Sequence, residues 1–68
     1  MKNSDTIKKI QTWLDGSRDY NEGRELLKTV PGGVSTNMQL TLMETHESKV
    51  RLVHWLKKGI EILKDERD

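Results

Sequence analysis

The hydrophobic and polar positions of this chain fall into helical periods separated by short polar breaks. The longest period runs from Glu47 to Lys64, a stretch without proline and rich in helix formers. Leu52, Leu56, Ile60 and Leu63 recur there at spacings that place them on one face, with Val50 and Val53 on one side of it. Trp55 and Ile62 lie on the other side, next to Gly59. A helix of about 18 residues spans roughly 27 Å, which makes it the one surface long enough to organise a core. Shorter elements are expected to fold against it.

Three shorter periods precede it. Ile7, Ile10 and Leu14 recur at i, i+3 and i+7, with Trp13 at the edge of their stripe. Asn3, Ser4 and Asp5 offer N-caps and Gly16 a C-terminal stop, so a first helix is predicted over about Thr6–Asp15. Asp19 stands three residues before Glu22, the spacing of a capping box. Tyr20, Gly23, Leu26, Leu27 and Val30 then share one arc of a second helix. Gly23 sits on this buried stripe, where it weakens a helix by about 1 kcal/mol relative to alanine, and a second helix crossing closely there explains its presence. Pro31, Gly32 and Gly33 end the helix. Residues 37–44 are ambiguous. Met38, Leu40 and Leu42 alternate as in a half-buried strand, while Met38/Leu42 and Leu40/Met43 pair at helical spacings. No second run of β character offers a partner strand, so a short third helix is predicted, with Ser35 or Thr36 as its cap. The expected fold class is all-α. It is a single domain over 1–68, a small bundle of three short helices and one long C-terminal helix, with 1–5 and 65–68 frayed.

Composition narrows the picture. At 68 residues a chain buries only about 60% of its unfolded surface, so the core is thin and gains from association. There is no cysteine, which removes disulfides, thiolate metal sites and thiol catalysis. Twelve basic residues against eleven acidic give a net charge of +1, spread evenly along the chain. Such a balance does not point to nucleic acid or an anionic membrane. No apolar run approaches the roughly 18 residues of a membrane span, and the start lacks the apolar region of a secretory signal. A soluble cytoplasmic protein is expected.

Catalytic and metal chemistry finds little support. His46 and His54 are eight residues apart, whereas two imidazoles share a helix face at three or four. Nucleophile and base need a pocket, and a helical chain this short can scarcely form one of ligand size. The Gly32–Thr36 turn superficially resembles a phosphate loop but has no lysine and follows a helix, so a Pro-Gly-Gly helix stop is the better reading. Neither an enzyme, a metal, a cofactor nor a small-molecule substrate is expected.

Two binding readings remain. Tryptophan is costly to leave exposed and enriched at interaction hot spots. Trp13, Trp55, Gly59 and Ile62 therefore form a candidate edge for a protein partner or a second copy, unless the first two helices cover it. The alternative is nucleic-acid contact through Arg51, Lys57 and Lys58. Against it, residues 37–44 hold no lysine or arginine to serve a recognition helix, and Glu61 and Asp65 interrupt the cations of the long helix.

The segments Ile10-Gln11-Thr12-Trp13-Leu14 and Arg18-Asp19-Tyr20-Asn21-Glu22-Gly23, followed by Leu26 and Leu27, form a recurrent pattern. Over about its first 30 residues the chain resembles the N-terminal part of small helical proteins of Bacteroidetes bacteria and their phages and mobile elements. That resemblance implies a bacterial or phage context. It carries no activity and no site residues.

Overall fold

The computed structural model describes residues 2–16 and 18–65, which form four helices and no strand. These are α1 (Lys2–Asp15), α2 (Tyr20–Lys28), α3 (Gly33–Asn37) and α4 (His46–Asp65). The fold is all-α with one long C-terminal helix. Its smallest dimension is 15 Å, little more than one helix diameter, so a single layer of side chains forms the core. Among the described residues no helix is long and apolar enough to cross a membrane.

Helix α1 begins four residues before the predicted start. Asn3, Ser4 and Asp5, expected as caps in a loose terminus, lie within its first turns, where Asp5 favours the positive end of the helix dipole. Of the end expected to fray, 65–68, Asp65 instead closes α4 and 66–68 lie outside the described residues. Burial on α1 centres on Ile10 and Trp13, with Ile7 and Leu14 only partly covered. Trp13 thus moves from the edge of the stripe to its centre. Its indole N–H donates to the Asp19 carbonyl at 2.8 Å, which satisfies the one polar atom of a buried tryptophan. At the joint the left-handed residue is Arg18, at φ 51°, rather than Gly16. The Arg18 Nε donates to the Leu14 carbonyl at 2.8 Å, closing the end of α1.

Asp19 caps α2 as its spacing predicts, its carboxylate accepting from the Glu22 N–H at 2.9 Å. Tyr20, Gly23 and Leu27 are buried and Leu26 half-buried. After Lys28 the chain turns at Thr29, whose hydroxyl donates to the Leu26 carbonyl. Gly32 takes φ 79°, and Gly33 opens α3 so close to α2 that a Cβ there would overlap the Leu27 carbonyl oxygen.

The helix predicted within 37–44 lies earlier, at Gly33–Asn37, and residues 38–45 are turn and irregular backbone. The displacement has a tertiary cause. Asn37, 3% exposed, donates its amide N–H to the Arg24 carbonyl at 2.7 Å and accepts from the Arg24 guanidinium at 3.3 Å. That clamp fixes α3 to α2 and leaves the chain beyond it to follow its own course.

Helix α4 extends the predicted Glu47–Lys64 span by one residue at each end. Thr45 caps it, its hydroxyl accepting from the Ser48 N–H at 3.1 Å. Leu52, Leu56, Ile60 and Leu63 are all buried, as their period requires.

Candidate interaction surface

Residues 38–45 have no regular structure, yet they are tied down. Leu40, 7% exposed, is their anchor in the core. The Tyr20 hydroxyl donates to the Thr41 carbonyl at 2.8 Å from a ring that is itself buried. The Thr41 hydroxyl donates to the Met43 carbonyl at 2.6 Å and lies 3.1 Å from the hydroxyl of Ser48, which is buried at the head of α4. Upstream, the Arg24 guanidinium lies 5.9 Å from the centre of the Tyr20 ring. Its Nε is buried without a hydrogen-bond partner among the described residues, so the Asn37 contacts carry this clamp.

This held segment turns apolar side chains outward. Met38 is 80% exposed, Leu42 83% and Met43 76%, while Val34 on α3 is 56% exposed. Burial does not follow the alternation of Met38, Leu40 and Leu42, since only Leu40 faces inward. Three large apolar groups in six residues, on backbone fixed by hydrogen bonds, contribute little burial to the fold. They are available to something else.

The residues predicted for the α4 edge separate. Trp13 is 5% exposed and bonded within the core, so it does not belong to an open edge. Gly59 is also buried: an added Cβ would lie 2.9 Å from both γ-methyls of Val30, which pack on its bare backbone. Trp55 is half-buried against the core, and Ile62, 41% exposed, is the most open of the four. Gly23 of α2 and Leu52 of α4 meet Trp13, and Val30 covers Gly59.

Arg51 and Lys58, seven residues apart, share one side of α4, and Lys57 lies off it. Arg51 pairs with Glu47 at 2.8 Å, and the adjacent Lys57 and Lys58 project roughly 100° apart on their helix. His46 and His54 are exposed, and among the described residues no group of three His, Asp or Glu side chains gathers around one point.

Sequence reasoning missed Met38, Leu42 and Met43 as surface residues. Their signal was that neither a helical nor an alternating period accommodates them together with Leu40. It also missed a concavity. An open groove of about 520 Å³ lies between the α1–α2 joint and the first turns of α4, although so short a chain was expected to form no ligand-sized pocket.

No family model, no curated protein and no solved structure matches this chain.

Proposed function

We propose that the chain is a non-enzymatic interaction module of the cytoplasm. It binds a protein, either a partner or a second copy of itself, through the exposed apolar segment Met38–Met43. The observation that carries this reading is the contrast within the segment. Leu40 and the Tyr20–Thr41–Ser48 bonds hold the backbone, while Met38, Leu42 and Met43 stand almost fully in solvent. Methionine suits such a surface, because its unbranched thioether adapts to varied partners at little cost. A preformed segment also loses less conformational entropy on binding than a disordered one would. Ile62 and the open part of Trp55 add apolar surface on α4. Nucleic-acid binding through Arg51, Lys57 and Lys58 is not favoured, since one of these cations is paired and the other two diverge.

The test has two parts. Solution mass is measured over a concentration series for the native chain and for a Leu42→Ser/Met43→Ser variant. A mass that rises with concentration, and does so less in the variant at unchanged thermal stability, identifies the second copy as the partner. In parallel, a photo-crosslinking residue is placed in vivo at position 42 and, as control, at position 61 on the solvent face of α4. Protein crosslinks concentrated at 42 support a separate partner. Equal labelling at both positions, with a monomeric chain throughout, sinks the proposal.

A further inference from the structure

The groove between the α1–α2 joint and the head of α4 combines two chemistries. Its apolar lining comes from Trp13 and Tyr20 on one side and from Leu52, Val50 and Val53 of α4 on the other. Trp13, Tyr20 and Leu52 are buried, so the apolar surface this groove offers to solvent is that of Val50, 55% exposed, and half-buried Val53. Arg18, His46 and Lys49 supply its polar groups, and among the described residues no Asp or Glu lines it. The volume of about 520 Å³ lies within the range of small-molecule sites.

The two basic side chains are not equivalent. Lys49 lies 3.6 Å from Glu44, which offsets part of its charge. Arg18 has no carboxylate partner among the described residues and is positioned twice over. Its backbone is held at φ 51°, a conformation that non-glycine residues rarely adopt, and its Nε is tied to the Leu14 carbonyl. A guanidinium fixed in this way loses little further entropy on meeting an anion, and a planar carboxylate matches its donors.

We propose that this groove binds a small amphipathic carboxylate, an aliphatic or aromatic acid whose apolar body lies against Val50 and Val53 and whose anionic head meets Arg18. A purely apolar ligand would shield the cation from water without offering it a partner, and a purely polar anion would leave the valine surface unused. The inference is independent of the Met38–Met43 surface, which lies on a different segment.

The probes are octanoate, octanol and octyltrimethylammonium, which share one chain length and differ in head group. Each is titrated into the isotope-labelled full chain while backbone amide shifts are followed. Octanoate is expected to move the amides of Arg18, Val50 and Val53 and to bind about tenfold more tightly than octanol, the typical worth of one charged hydrogen bond. Arg18→Gln should weaken octanoate about fivefold or more at temperatures where the variant is folded, while Lys58→Gln, a cation elsewhere on α4, leaves binding as it was. If Arg18→Gln disturbs folding, Val50→Asp on the exposed surface of α4 serves instead and should abolish octanoate binding. Equal binding of all three probes, shifts centred on Met38–Met43, or no shift up to about 5 mM would each overturn the proposal.

Discussion

The Trp13 indole rests on the bare backbone of Gly23. A Cβ added at Gly23 would lie 2.5 Å from the indole Cζ2 and 2.8 Å from Leu52 Cδ2, so side chains from α1 and α4 meet over α2 at this point. The ring cannot slide away easily, because its N–H is bonded to the Asp19 carbonyl, and Leu52 is 1% exposed. Two effects of Gly23→Ala therefore oppose each other. Helix propensity gains about 1 kcal/mol, while overpacking in a closed site costs about 1–3 kcal/mol. Overpacking should win, and urea denaturation is expected to show a less stable protein. A variant more stable than the native chain would mean that Trp13 is free to move.

The Gly32–Gly33 pair separates two reasons for needing glycine. Gly32 has a left-handed backbone with open space around it, so Gly32→Ala should cost about 1 kcal/mol. At Gly33 the added methyl would collide with the Leu27 carbonyl, which is backbone and cannot rotate out of the way. Gly33→Ala is expected to cost more than Gly32→Ala, on the order of 3 kcal/mol, by separating α3 from the end of α2. Thermal melts of the two variants, compared under one condition, decide the order.

What could be read in advance follows from what is local. The core face of α4 and the Asp19 cap were legible because they depend on spacing within one element. A stripe of Leu52, Leu56, Ile60 and Leu63 has few alternatives, and a cap needs only its own first turn. The course of residues 33–45 was not legible in this way. Its helix is fixed by Asn37 reaching Arg24 thirteen residues earlier and by Gly33 pressing on Leu27, contacts with no periodic signature. Trp13 illustrates the same point on a smaller scale. Helical geometry put it at the edge of a stripe, and a hydrogen bond to Asp19 with a facing glycine turned that edge into the centre. The candidate site suffered most, because exposure of Met38, Leu42 and Met43 depends on where the irregular segment runs.

The Tyr20 hydroxyl is the long-range tie on that segment, joining residues 21 apart in sequence. Tyr20→Phe keeps the buried ring and removes only the donor to the Thr41 carbonyl. The expected global cost is about 1 kcal/mol, the ordinary net value of one hydrogen bond. A larger effect should appear locally, as faster amide hydrogen exchange for Leu40 to Met43 relative to the middle of α4. Uniform acceleration across the chain would show that the bond supports the whole fold rather than this segment.

The sharpest contrast lies within that segment, between Leu40 and Leu42, two leucines of identical chemistry two residues apart. Leu40 is 7% exposed and Leu42 is 83% exposed. Leu40→Ala removes buried methyl groups from a core only one side-chain layer thick, and a loss of at least about 2 kcal/mol is expected. Leu42→Ala removes the same groups from water, and stability should stay within about 0.5 kcal/mol of the native chain. The effect on association should run the other way. At temperatures where both variants remain folded, Leu42→Ala should weaken binding of the partner or second copy, while Leu40→Ala should act only through stability. If the two substitutions destabilise equally, Leu42 is part of the core and the apolar segment is not a docking surface. Should Leu42→Ala leave both stability and association untouched, the binding energy must lie elsewhere, with Ile62 the next residue to replace.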